Sequence, residues 1–386
     1  MSPPAYSAKE MLAKLVGFDT TSEETNLPLI AFVKHYLAQY GIESHLVPSD
    51  DGHKAGLFAT IGPKDASGVG LSGHTDVVPI TDQCWNTDPF TLVEKDGRLY
   101  GRGAADMKSY LACVLAAVPE FQRRRLTVPI HIILSYDEEV GCIGVRPMIA
   151  EFGTRVPRPR MVIVGEPTSM TVVDAHKGPV RWRVDVTGRA AHSSVAPLGV
   201  NAITYAGRLL AELDRMEQEL KASPRDERFT PAYTTLQVTR IAGGTANNIV
   251  PNVCWFGWEV RALPGLDTVA LERRLLAFAA KHCVPEMNSV AAEADIIVQR
   301  TNEVPAFAAD SESEIVALTL KLSQAKATHA VSFATEAGLF QAAGAAAVVC
   351  GPGDISQAHT ANEWIAAAEL EKCSGFLMRL ADWAGG

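Results

Sequence analysis

Apolar residues recur along the chain in two rhythms, and the change between them divides it. Residues 7–18 place Met11, Leu12, Leu15 and Val16 on one face at helical spacing, and a second helix follows to Gln39, with Asn26 at its start and Gly41 as its stop. Short strands are predicted at 43–47 and 57–61, and a weaker one from Val69. A helix over 108–122 precedes a largely apolar strand at 129–136, and another short strand covers 161–164. Strands alternating with helices predict an α/β fold, with a mostly parallel sheet and helices on both faces.

Near Gly178 the rhythm changes. Residues 179–186, 235–241, 253–260 and 294–298 alternate apolar and polar, the pattern of strands with one wet face. Helical stretches at 201–220 and 267–282 lie between them. This predicts an inserted α+β domain over 179–300, with a four-stranded antiparallel sheet and two helices. The first rhythm resumes after Pro305, with a helix at 312–322, a short strand leading to Thr335-Glu336, a helix ending before Gly344, a strand at 345–350 and a closing helix at 365–383. Residues 1–178 and 301–386 are therefore expected to form one domain around the insertion. At 386 residues the chain exceeds the ~250–300 at which a single core stops growing.

Charge removes some functions. The net charge of −9 offers no footprint for nucleic acid. The seven cysteines are odd in number, widely spaced and lack a C-x-x-C pair, which argues against a disulfide framework and a thiolate metal site. No apolar run approaches the ~18 residues of a membrane span, and the N-terminus lacks a signal-peptide pattern. A reducing cytoplasm is the expected location.

The candidate chemistry gathers at strand ends. His74 and Asp76 follow the Val69 strand in Leu71-Ser72-Gly73-His74-Thr75-Asp76, a spacing that lets a carboxylate steady a metal-ligating imidazole. Asp137-Glu138-Glu139 ends the 129–136 strand and Glu166 the 161–164 strand. Asp106 and His359 sit in loops that can reach the same edge, where open α/β sheets bind ligands. Each has a plain alternative: Asp106 as a helix N-cap, Glu138 and Glu139 as a solvated turn, His359 as a loop histidine. Two histidines, several carboxylates and no cysteine suit zinc, cobalt or manganese. Two divalent ions (+4) against three ligating carboxylates (−3) and one hydroxide balance to zero. Adjacent Glu138 and Glu139 could then divide ligation from proton transfer.

Longer runs carry a resemblance. They are Ser72-Gly-His-Thr-Asp-Val-Val-Pro79, Tyr100-Gly-Arg-Gly-Ala-Ala-Asp-Met-Lys108, Ser135-Tyr-Asp-Glu-Glu-Val-Gly141, Val164-Gly-Glu-Pro-Thr168, Gly188-Arg-Ala-Ala-His-Ser-Ser194, Gly243-Gly-Thr-Ala-Asn-Asn-Ile-Val-Pro251 and Gln357-Ala-His359. In this order they resemble the di-zinc amidohydrolases that include acetylornithine deacetylase, succinyl-diaminopimelate desuccinylase, glutamate carboxypeptidase and aminoacylase. The resemblance implies His74, Asp106 and Glu166 as ligands of one metal and Asp106, Glu139 and His359 of the other. It implies Glu138 as general base, Asp76 as the partner of His74, and the insertion as a lid and homodimer surface. His192 of the insertion would reach the site of the partner subunit and steady the oxyanion there, and Asn248 and Arg261 would hold the substrate.

Glu166 is similar to the acylase and carboxypeptidase branch. Thr335-Glu-Ala-Gly-Leu-Phe-Gln341 is similar to the acetylornithine members, with Glu336 placed to meet a cationic side chain. The implied reaction is hydrolysis of N-acetyl-L-ornithine, a step toward arginine. The rivals are another N-acyl amino acid, N-succinyl-diaminopimelate or a glutamyl amide, or a non-catalytic relative. After His359 the run Thr360-Ala-Asn-Glu-Trp364 departs from the Lys-Pro-Asp-Glu-Tyr-like segment of the family.

Overall fold

The computed structural model describes residues 4–64, 66–222 and 224–386. The N-terminal stretch read as lacking a signal peptide begins in residues 1–3, outside the described residues. Two compact units divide the chain. One comprises Met1–Ala175, Phe307–Ala330 and Thr335–Gly386, the other His176–Ala306 and Val331–Ala334.

The first unit is built on a nine-stranded sheet. Its order is Ser44–Pro48, Ala55–Ile61, Ile130–Ser135, Val69–His74, Met161–Pro167, Ala346–Gly351, Val172–His176 and Phe307–Ala308, with Thr328–Val331 paired to Val172–His176. The strands from Ile130–Ser135 to Ala346–Gly351 in this order are parallel, and antiparallel pairs extend the sheet on either side. A parallel strand covered on both faces has no polar alternation, and Ile130–Ser135 is buried throughout. Ile130, Ile132 and Leu134 join a core with the helices Ala8–Val16, Leu27–Gln39, Lys108–Arg123 and Ala367–Gly385. On the opposite face the ring of His131 lies 5.2 Å from Phe58. Phe58 meets Phe152 edge-on, and Phe152 stacks on Phe340.

Two local expectations are corrected. Asn26 precedes the Leu27–Gln39 helix but makes no side-chain cap. Its amide nitrogen instead donates to the Ala55 carbonyl and the Thr75 hydroxyl, and its oxygen accepts the Ala55 N–H. The asparagine thus ties the first helices to the His74 turn. The closing helix begins at Ala367; residues Trp364–Ala366 form a strand beside Arg98–Tyr100 and Val93–Lys95.

The second unit holds a four-stranded antiparallel sheet ordered Thr235–Gly243, Val253–Ala262, Gly178–Thr187 and Asp295–Glu303. Trp182 and Trp258 are paired across it, with rings stacked 3.9 Å apart. Leu209 and Leu213 of the Ala202–Ala222 helix and Leu275 and Ala279 of Thr268–His282 complete its core. A third helix, Val284–Val290, joins the two expected. Seven residues with a proline in the first turn leave too few positions for a helical period to show. Among the described residues no helix is long and apolar enough to cross a membrane.

Candidate metal centre and active site

The parallel strands deliver their side chains to one sheet edge. Val69–His74 ends on His74, Ile130–Ser135 leads into Glu138 and Glu139, and Glu166 lies at the end of Met161–Pro167. Glycines let the backbones crowd there. A Cβ on Gly165 would lie 2.0 Å from the Tyr110 ring, and one on Gly351 2.0 Å from the Gly165 carbonyl. Asp106 closes the turn before the Lys108–Arg123 helix. It is not that helix's cap, since Met107 holds the position and no side-chain cap forms.

The histidines fix the geometry. His74 Nδ1 lies 2.9 Å from the backbone carbonyl of Asp76. A carbonyl only accepts, so Nδ1 carries the proton, and Nε2 is the nitrogen left for a metal. The Asp76 carboxylate faces the same nitrogen, with Oδ1 3.5 Å from Nδ1, and favours the charged imidazole. Its closer contacts lie elsewhere. It accepts the Ser22 hydroxyl at 2.8 Å and the backbone N–H groups of Glu138 and Glu139 at 3.1 and 3.2 Å. Asp76 therefore faces the histidine with both its main-chain carbonyl and its carboxylate, and holds the two glutamates through its side chain.

Asp106 is strung between the two histidines. Its Oδ1 lies 3.0 Å from His74 Nε2, and its Oδ2 lies 3.2 Å from His359 Nε2. His74 Nε2 is also 3.9 Å from Glu166 Oε1, and His359 Nε2 is 3.0 Å from Glu139 Oε2. Ligand atoms of His74, Asp106 and Glu139 lie within 4.8 Å of one another, as do those of His74, Glu138 and Glu166. These two groups cut across the ligand sets implied by the resemblance, because the carboxylates are packed closely enough for either.

The titration of the site reflects that crowding. Burial and the surrounding acids push Glu166 well above the carboxylate range and raise Glu139. Glu138 is pushed up to about 8, by burial and the facing acids Glu139, Glu336 and Asp106, against the pull of His74. Hydrogen bonds from His359 and His74 outweigh burial at Asp106 and lower it. Asp106 and Glu139 raise His359 to about 10. On His74 burial opposes the charge, but Asp106, Asp76 and Glu166 overcome it. The surrounding carboxylates thus favour positive charge at both imidazoles. Glu166 Oε1 is buried without a hydrogen-bond partner. An oxygen- and nitrogen-lined cluster with excess carboxylate and an orphaned acceptor fits divalent ions of the zinc, cobalt or manganese kind.

The remaining candidates are spread over both units. Glu336 belongs to the first unit and is 1% exposed. Its Oε2 accepts the Ser72 hydroxyl at 3.3 Å, and burial pushes it up to about 7 against the hydrogen bonds of Ser135 and Ser72. His192, Asn248 and Arg261 belong to the second unit. His192 is exposed, with Nδ1 2.8 Å from the Ser194 hydroxyl, and the neighbouring Ser193 N–H donates to the Asn248 carbonyl. Arg261 donates to Glu259 at 2.7 Å.

Sequence reasoning passed over other residues of the site. The Cys142 thiol donates to Glu138 Oε1 at 3.2 Å. Arg102 and Glu363 form a buried ion pair at 2.8 Å beside the Asp106 turn. Both lie inside runs quoted above, Arg102 in Tyr100–Lys108 and Glu363 in Thr360–Trp364, so their positions were visible while their partners were not.

The model of peptidase family M20/M25/M40 matches residues 70–383, a span that includes every strand-end residue described here. The chain belongs to this peptidase family. A relative, acetylornithine deacetylase of Myxococcus xanthus, is 37% identical over 392 residues, covering 100% of both chains. Among solved structures, an aminopeptidase from Bacillus cereus superposes with a TM-score of 0.75 at 20% identity, covering 100% of both chains. An M20 metallo-carboxypeptidase from Sulfolobus solfataricus gives 0.75 at 18% identity, covering 98% of this chain and 99% of its own. These two likenesses establish the shared M20 fold.

Proposed function

We propose that this M20 enzyme hydrolyses the amide of N-acetyl-L-ornithine, releasing acetate and ornithine, as a step toward arginine. The chemistry rests on one observation above others: Asp106 reaches His74 with one oxygen and His359 with the other. A carboxylate so placed suits two cations ~3.5–4 Å apart. His74, Asp106 and Glu166 would hold one, and Asp106, Glu139 and His359 the other. The choice of substrate follows the full-length likeness to acetylornithine deacetylase.

Bound ions, zinc in this reading with cobalt or manganese as alternatives, would polarise the acetyl carbonyl and acidify water. Glu138 takes the proton of the attacking water and delivers it to the departing nitrogen. Its high proton affinity suits the second step, and a nearby cation favours the charged form needed for the first. The Asp76 carboxylate holds the Glu138 and Glu139 backbone while the proton moves. In this reading His192 would stabilise the oxyanion in the partner subunit's site, and Asn248 and Arg261 would hold the substrate, the guanidinium matching the α-carboxylate. The buried Glu336 carboxylate would pair with the ornithine ammonium. Ornithine release that rises with added zinc or cobalt and stops with chelator supports the reading; metal-loaded protein that releases none contradicts it.

The reading includes a homodimer through the second unit. Its edge strand Thr235–Gly243 is exposed over its last seven residues, with Val238 and Ile241 at 40% and 52% exposure. An edge with unpaired backbone groups and outward apolar side chains suits a second copy of the same strand. Sedimentation velocity should give a dimer, and Ile241→Glu a monomer; a monomeric wild type would remove this part. A cytoplasmic location is supported by seven free cysteines, six of them buried.

A further inference from the structure

The Glu363 carboxylate uses its full accepting capacity on one turn. Oε1 accepts the N–H groups of Ala105 and Asp106 at 2.8 and 3.0 Å, and Oε2 accepts the N–H of Gly103 at 3.0 Å and Arg102 Nη1 at 2.8 Å. A carboxylate offers about four lone-pair sites, and all four are engaged here. Glu363 and Arg102 are each 1% exposed, so water does not replace these bonds. The Glu363 carbonyl also accepts the Gly101 N–H at 3.0 Å.

Fixing the peptide N–H groups of Ala105 and Asp106 on one oxygen fixes the plane from which the Asp106 side chain departs. That side chain then reaches His74 on one side and His359 on the other. The same network reaches the His359 loop. Arg102 Nη1 donates to the Thr360 carbonyl at 3.4 Å, and Nη2 bonds Gln83, whose amide donates to the His359 carbonyl at 3.3 Å. One buried ion pair thereby ties the turn carrying Asp106 to the loop carrying His359.

We propose that Glu363, with Arg102, is a positioning residue that sets the spacing of the Asp106 and His359 ligands and so determines whether two metal ions bind together. The inference rests on the metal-centre reading above. Glu363 is the one position at which the Thr360–Trp364 segment keeps the residue of the Lys-Pro-Asp-Glu-Tyr-like run, and it carries the acceptor that organises the bridging ligand. Groups that orient metal ligands typically change metal affinity by about 10–100-fold when altered.

The test is metal binding, measured on the whole protein without substrate. Apoprotein is titrated with cobalt(II), read by its visible absorption, and ion content is counted after dialysis against limiting zinc. Wild type should take two ions. Glu363→Gln turns an amide N–H₂ toward backbone donors and should bind the second ion about 10–100-fold more weakly, with an altered cobalt spectrum. Its kcat should fall more than its KM changes. Glu363→Asp, which keeps the charge on a shorter arm, should recover part of the loss.

Should Glu363→Gln fail to fold, Arg102→Lys decides. It keeps a cation on Glu363 but loses the fork to Thr360 and Gln83, and should weaken the second ion alone. Folded variants with two ions at wild-type affinity and an unchanged spectrum would overturn the inference, even if their melting temperature fell. A wild type that takes up no metal would overturn the metal-centre reading itself, a result distinct from the first.

Discussion

Glu138→Ala retains its metal ions and loses nearly all turnover. Glu138 shares His74 and Glu166 as near neighbours, but the charge needed to hold cations is supplied by Asp106, Glu139 and Glu166 without it. Its own position favours proton traffic. Burial and three facing acids raise its proton affinity, and a thiol rather than a fixed cation touches its oxygen. Removing a positioned general acid–base group typically costs 10²–10⁴-fold, and both halves of the reaction use this one. A loss of about 10³-fold or more in kcat is expected, with ion content unchanged by elemental analysis. Turnover within tenfold of wild type would take Glu138 out of the mechanism.

Asp106→Ala removes both ions together. In any arrangement in which the ions had separate ligand sets, a single substitution would release one and spare the other. Here one carboxylate faces both histidines, and the remaining acids would be left to repel one another. Activity should fall below detection, and ion content from two per chain to under one. Stability provides a second readout. Ions that bind only the folded chain stabilise it by about 2.7 kcal/mol at a hundred times their dissociation constant. Zinc should therefore raise the melting temperature of wild type and leave that of Asp106→Ala unmoved. A variant that still holds two ions would dissolve the bridging role.

How much of this was legible in the sequence depended on whether the signal was local. The 130–135 strand could be read because burial on both faces leaves an apolar run, and the antiparallel strands because one wet face leaves an alternation. His74, Glu138, Glu139 and Glu166 stood out because they interrupt those patterns at strand ends. What stayed hidden is held by partners far along the chain. The strand Trp364–Ala366 is three residues long and makes sense only beside Arg98–Tyr100, so it read as the start of the closing helix. Asn26 looked like a cap because its partners Ala55 and Thr75 are distant. Asp76 was legible as a partner of His74, but which of its oxygens serves depends on the Ser22 and glutamate contacts. Glu363 bonds a turn about 260 residues earlier, and no periodicity records that.

The central claim is tested most directly by amine release from a set of acyl amino acids, using protein loaded with zinc or cobalt. The set is N-acetyl-L-ornithine, other N-acetyl amino acids, N-succinyl-diaminopimelate and a glutamyl amide. The account predicts the highest kcat/KM for N-acetyl-L-ornithine, with dependence on added metal. A higher kcat/KM for another member would contradict the substrate assignment, and metal-loaded protein that releases amine from none of them would contradict the proposed chemistry.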